Sequence, residues 1–267
     1  MKLHHRQKGK DPFYHIWHTH ETETELLLFY SEGGNIVFQS QVFPIRQGDC
    51  YIIRPGIMHY TLPSQPDQYQ RSKLILCETE LIALVNLNQH LSRLFANHQP
   101  LYSQFSLKQL DEIDRLFSEL ESPGQFGTGA ETARTANILK LFAYFLSGIT
   151  QQPPLSSTFI SQAIQYLNTH MAQPITIADV CREVCISKYH LCRTFKQATG
   201  CTIMDYLLKT RLEASKQMLI STNLTISEIS IRAGFSSISY FCKVFRNQNQ
   251  VTPLQFRNQM KKMDKLV

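Results

Sequence analysis

Apolar positions along this chain follow two rhythms. Between residues 13 and 90 they gather in short β-prone runs, at 25–30, 36–38, 42–45 and 51–53, punctuated by Gly33-Gly34, Ser40-Gln41, Gly48-Asp49 and Pro55-Gly56. Many short strands with closely spaced turns predict a sandwich or barrel. From residue 103 to 150 the spacing turns helical. Leu107, Leu110, Ile113, Phe117 and Leu120 share one face, and Ile138, Leu141, Phe142, Phe145 and Ile149 share another, with Ser122-Pro-Gly and Gly127-Thr-Gly between them. Two such helices either cover the strands or meet a second subunit. Gln151-Gln-Pro-Pro-Leu-Ser-Ser then has the composition of a linker.

Beyond the linker one pattern occurs twice. Ser187-Lys-Tyr-His-Leu191-Cys-Arg193-Thr-Phe195-Lys196 returns as Ser236-Ser-Ile-Ser-Tyr-Phe241-Cys-Lys243-Val-Phe245-Arg246, at a constant offset of 50 residues from Leu191/Phe241 onward. Each copy follows a short amphipathic helix, at 176–184 and 225–233. Thr176 with Asp179, and Thr225 with Glu228, read as capping boxes. Ile177, Val180 and Val184 form the buried stripe of the first short helix, and Ile226, Ile229 and Ala233 that of the second. Cys185-Ile186-Ser187 makes one turn, with Ser187 as cap of the next helix, and Gly234 permits the other. The second helices bury Leu191 and Phe195, and Phe241 and Phe245. That leaves Lys188, Tyr189, Cys192, Arg193 and Lys196 open in one copy, and Ile238, Ser239, Lys243 and Arg246 in the other. Two helix-turn-helix units of this kind suit the DNA major groove. Arg193 and Lys243 are equivalently placed to reach guanine or phosphate. A helix at 203–220, about 27 Å long, would set the two readers near one DNA turn apart, roughly 34 Å.

Charge sharpens the division. Residues 155–267 carry 14 Lys+Arg against 6 Asp+Glu, net +8, and residues 1–154 carry 13 against 15, net −2. A basic half beside a faintly acidic one points the basic half at phosphate. Seven cysteines lie scattered along the chain, four of them inside the repeats, which reads as reduced thiols in the cytoplasm. Cys181, Cys185 and Cys192 lack zinc-finger spacing and read as small packing residues. Residues 1–10 are polar and basic, unlike a signal peptide. No apolar run reaches the roughly 18 residues that span a bilayer, so no membrane partner is expected.

The run Ala233-Gly-Phe235-Ser-Ser-Ile-Ser-Tyr240-Phe241-Cys-Lys243-Val-Phe245-Arg246, followed by Thr252-Pro253-Leu-Gln-Phe256-Arg257, resembles the signature of the AraC/XylS family of bacterial transcription regulators. Residues 158–257 are similar to the family's DNA-binding domain. One departure is Gln250, where the family often has the glycine that the first unit keeps as Gly200. The resemblance implies base-facing roles for Tyr189, Cys192 and Arg193, and for Ser239 and Lys243. Ser187, Lys188, Lys196, Ser236, Ile238 and Arg246 complete the expected DNA-binding set. It further implies a homodimeric activator, with double-stranded promoter DNA and RNA polymerase as partners. Since Cys192 and Ser239 are weak readers, Arg193, Lys243 and DNA shape would carry most of the specificity, and the first unit more of it than the second.

His18-Thr-His20, Glu25, Gly48-Asp49 and Pro55-Gly-Ile-Met-His59 resemble the two cupin motifs. The resemblance implies a barrel that binds a small effector, with Trp17, His18, His20, Glu25, Tyr30, Arg54 and His59 around it. Tyr51 and Tyr60 are further lining candidates. His18, His20, Glu25 and His59 match the metal set of cupins. Glu25, however, has the opposite strand parity to the two histidines, and Arg54 replaces a common proline, so a hydrogen-bonding pocket for a polar ligand, such as a sugar, is the preferred reading. No resident cofactor or metal is expected. The fold expected is α+β and multidomain: a cupin-like β-barrel over residues 1–98, a helical segment over 99–152, and an all-α double helix-turn-helix domain over 153–267. The function expected is effector-controlled transcription regulation without enzyme activity. The alternative is a metal-dependent cupin enzyme or metal sensor using the same three histidines and Glu25.

Overall fold

The computed structural model describes residues 1–8, 18–20, 22–39, 41–87, 100–122, 127–150 and 158–263. The chain divides into two compact units, Met1–Ser156 and Ser157–Val267. Expectations for Trp17 and the 151–157 linker lie outside the described residues.

In the first unit, strands β1 (Lys2–Lys8), β7 (Gln70–Leu76), β2 (Thr24–Phe29), β5 (Asp49–Ile53), β8 (Leu101–Gln104) and β9 (Ile149–Thr150) form one sheet in that order. Strands β4 (Val42–Pro44), β3 (Asn35–Phe38) and β6 (His59–Leu62) form a second. All described pairings between these strands are antiparallel. The strands thus make two facing hydrogen-bonded sheets, within the sandwich-or-barrel class that the short runs and close turns predict. Helices α1 (Glu78–Leu87), α2 (Leu107–Glu121) and α3 (Ala130–Ser147) belong to the same unit.

Strand β2 is buried on both faces, and alternation sorts its side chains. Leu27 and Phe29 face the smaller sheet, in a cluster with Ile36, Phe38, Phe43, Tyr51, Ile53 and Tyr102. Leu26 and Leu28, with Cys50, Ile52, Leu74 and Leu76, meet Leu110, Ile113 and Phe117 of α2 and Ile138, Leu141, Phe142 and Phe145 of α3. Except for Leu107, which is exposed at the start of α2, and for Ile149, the helical stripes read from the sequence are spent on the unit's own sheet, each large side chain contributing about 1.5–3 kcal/mol by burial.

Three sequence expectations change here. Ile149 lies in β9 rather than on a helical face, because Gly148 ends α3. The segment expected to be helical also contains β8. The region read as strands contains α1, where short apolar runs are ambiguous between helix and strand. Strand β1 was invisible because it is a polar edge strand, alternating exposed and half-buried positions. Arg6 and His5 tie it to α2 through Asp114, with Arg6 Nε and His5 Nε2 at 2.9 and 2.8 Å from the same carboxylate oxygen. Although burial pushes that carboxyl up, the hydrogen bonds from Arg6 and His5 hold it below its ordinary value.

The second unit contains α4 (Thr158–His170), α5 (Ile177–Val184), α6 (Lys188–Thr199), α7 (Ile203–Ser221), α8 (Ile226–Arg232), α9 (Ile238–Asn249) and α10 (Pro253–Met263). Pairs α5–α6 and α8–α9 are the two helix-turn-helix units. The early part of α7 buries Tyr206 and Leu207, and Tyr206 meets Phe195 edge-on at 5.5 Å. The later part gives Leu212 and Leu219 to a cluster with Ile229, Phe235, Phe241 and Phe245. The repeat extends to the struts: Arg211 on α7 donates to the carbonyls of Met171 and Gln173 (2.8 and 2.7 Å), while Lys261, 50 residues on, donates to Asn223 (3.0 Å), 50 residues on from Gln173.

Candidate nucleic-acid interface and sensor site

Both helix-turn-helix units start in the same way. Thr176 Oγ1 accepts from the Asp179 N–H (3.3 Å) while the Asp179 carboxylate accepts from the Thr176 N–H (2.9 Å). Thr225 and Glu228 repeat the box at 3.2 and 2.7 Å. Ile226, expected to be buried with Ile229 and Ala233, is half-buried, as is Ile177. The turns differ: Cys185 closes the first at φ 55°, and Gly234 closes the second at φ 84°, where a Cβ would run into the Met171 carbonyl. Ser187 takes cap geometry, but its side chain makes no capping bond; Ser237 accepts from the Tyr240 N–H at 3.2 Å. Ser236 is exposed one residue before that cap.

The reading helices then expose matching faces. Lys188, Tyr189, Arg193 and Lys196 are exposed on α6, Tyr189 by 78%, with Cys192 half-buried among them. On α9, Ile238, Ser239, Lys243 and Arg246 are exposed, with Cys242 half-buried at the place of Cys192. Among the described residues, Arg193, Lys196, Lys243 and Arg246 have no carboxylate partner. Their charge is free for phosphate or guanine. Gln250 ends α9 at φ 61° as Gly200 ends α6 at φ 69°, so the left-handed turn survives the loss of glycine.

In the first unit, four of the expected effector residues converge. His18 bridges His59 backbone to backbone, and the chain bends before β2, so Glu25 points between the sheets despite its parity. Glu25 Oε2 lies 2.8 Å from His59 Nε2 and 3.2 Å from His20 Nε2. The His18 and His59 rings are 4.3 Å apart. Burial pushes the Glu25 carboxyl up, but the hydrogen bonds to His20 and His59, with the charges of His59 and Lys73, hold it well below the carboxylate range. The bond to Glu25 raises His20 against its burial. His59 Nδ1 faces the Ile57 carbonyl at 3.0 Å and must be its donor. Nε2 of a neutral ring would then oppose the carboxylate lone pair to lone pair, so a proton or a metal ion belongs between them.

The donor set has the chemistry of a metal site. One ligand atom from each of His18, His20, Glu25 and His59 lies within 4.8 Å of all the others, so small side-chain shifts would bring the four to the roughly 2.0–2.2 Å bonds of a divalent transition ion. The Ile57 carbonyl would orient His59. Cys181, Cys185 and Cys192 form no such group among the described residues.

Tyr30 does not join this site. It shares a strand face with Leu26 and Leu28, on the helix side of the sheet, where its ring lies under Arg6 and its hydroxyl meets Ser72 at 3.1 Å. Arg54 is buried at the turn after β5, and its burial lowers the guanidinium pKa. Tyr51 does face the sheet interior, and its buried hydroxyl has no hydrogen-bond partner among the described residues. Arg71 also faces inward, donating to Thr61 at 2.9 Å, and Lys73 stands near Glu25. The charge at every second residue, Arg71 and Lys73, was the available sequence signal for this face.

The helix-turn-helix domain family matches residues 180–259. The HTH-type transcriptional activator RhaR of Cronobacter sakazakii is 30% identical over 251 residues, spanning 91% of this chain and 86% of its own length. The chain belongs to the AraC family of transcription regulators. A second family member, RhaR of Mannheimia succiniciproducens, is 24% identical over 243 residues, spanning 90% of this chain and 86% of its own. The Xylose operon regulatory protein of Escherichia coli K12 is 34% identical over 109 residues, 41% of this chain and 28% of its own. With three other curated relatives the match runs over 100–118 residues, and the chain spans only 30–54% of their length. Among the described residues, no helix is long and apolar enough to cross a membrane.

Proposed function

We propose that this AraC-family chain is a sequence-specific DNA-binding activator of transcription, controlled by a small polar molecule, such as a sugar, bound between the sheets of its first unit. The observation that carries the reading is the pair of reading helices whose cations, Arg193 with Lys196 and Lys243 with Arg246, are exposed and, among the described residues, free of carboxylates. The names of the RhaR relatives support activation, and that of the xylose operon protein supports a sugar. The chain acts without catalysis, as a homodimer, with promoter DNA and RNA polymerase as partners. Site selection from a random duplex pool, followed by gel-shift titration of the full chain, tests it. Arg193→Ala should weaken binding to the selected site by about 1–3 kcal/mol and relax one base pair, with a smaller specificity loss for Lys243→Ala. Equal loss on random DNA would reassign Arg193 to phosphate, and a pool that enriches no sequence would overturn the reading.

The convergence of His18, His20, Glu25 and His59 favours a second reading, in which the species bound is a divalent transition metal. Those four residues would hold it, and it would supply Lewis acidity in an enzyme or a crosslink between strands in a sensor. Stoichiometric metal in the purified protein, lost in His59→Ala, supports this reading. Metal-free protein that still binds its DNA site removes it.

A further inference from the structure

We propose that the first helix-turn-helix unit recognises a thymine through its 5-methyl group, received in an apolar recess beside α6; this rests on the DNA-reading function above. The recess measures about 610 Å³. Its more buried lining is Ile177 at the start of α5, Cys192 midway along α6 and Ile203 at the start of α7. Its exposed lining includes Lys188, Arg193 and Lys196, and among the described residues no acidic side chain lines it. An apolar floor inside a cationic rim selects an occupant that is anionic outside and apolar at one point. Duplex DNA meets both demands, since phosphates flank the major groove and the thymine methyl is the apolar group that base pairs present there.

Cys192 gains a role from this placement. A half-buried thiol hydrogen-bonds weakly but packs well against a methyl, so the poorest polar reader on α6 becomes a specificity residue. The second unit keeps Cys242 but has Ile238, Ser239 and Pro253 where the first has Lys188, Tyr189 and Ile203, so its walls differ.

Replacing thymine by uracil, one position at a time in the selected duplex, deletes one methyl and nothing else. One such change should weaken binding of the full chain about fourfold, the worth of one buried methyl, and Cys192→Ser should shrink that step to less than about twofold. Cys242→Ser should leave the step intact. If Cys192→Ser fails to fold by circular dichroism, Cys192→Ala is read in the same way. A selected site in which every thymine tolerates uracil overturns the recess and leaves DNA reading standing. So does a step that persists undiminished in the Cys192 variant. A pool that enriches no sequence overturns DNA reading itself, and the recess with it.

Discussion

The two compact units differ in how much charge they bury. In the DNA-reading unit the cations stand outside an apolar core, and the buried acid Glu213 has Lys216 beside it at 3.4 Å. In the first unit Glu25, Arg54, Arg71 and Lys73 are all buried, and Glu25 is held between two histidines. A surface cation costs little to keep and is available to a partner. A buried one persists only inside a network, and removing one member leaves the others desolvated and unpaired. Charge is thus an instrument of binding in one unit and a part of the fold in the other.

Glu25→Ala should break this contrast most severely. It strips the carboxylate from His20, His59 and Lys73, and the first unit should lose about 3–5 kcal/mol of stability. Chemical denaturation monitored separately in each unit would show it, with unchanged unfolding of residues 157–267. An equal loss in both units would mean that they do not unfold independently.

Acid sharpens the comparison next. Asp114 is held below its ordinary value of 3.8, so the stability it lends the β1–α2 clip is present above that value and is lost as pH falls through its depressed folded-state value. The unfolding temperature of the first unit should drop over that acid range, and Asp114→Asn should flatten the drop. A drop of the same size in the variant would remove the clip from the explanation.

In the second unit the expected effects are smaller. Thr225→Ala removes the cap of α8 and should cost about 1 kcal/mol, read as a lower denaturation midpoint. Gln250→Gly relieves a left-handed residue and should stabilise by about 1 kcal/mol or less. Destabilisation instead would show that the Gln250 side chain, which donates to the Asn247 carbonyl at 3.0 Å, outweighs the backbone.

The reading helices are legible in the sequence because the repeat checks itself: caps, buried aromatics and cations recur at nearly one offset. The interior of the first unit is legible only in part. His18, His20, Glu25 and His59 announce themselves as polar residues among β-prone runs, yet the bend that brings Glu25 to the histidines has no clear local code. Once Glu25 points inward, alternation alone sends Tyr30 to the other face with Leu26 and Leu28. Arg71 and Lys73 mark a shared face by their spacing, yet nothing local says that this face is the buried one, because burying charge is favourable only with partners that lie far away in sequence. The thymine recess is harder still, since Ile177, Cys192 and Ile203 come from three helices and meet only through packing.

Helix α7 serves both helix-turn-helix units with one uninterrupted rod of 19 residues. The angular phase between the readers is therefore written in its length. A single residue inserted into its middle would turn one reader by about 100° and shift it about 1.5 Å relative to the other. The binding site's internal period and the residue count of one helix are then the same quantity, and neither can drift without the other.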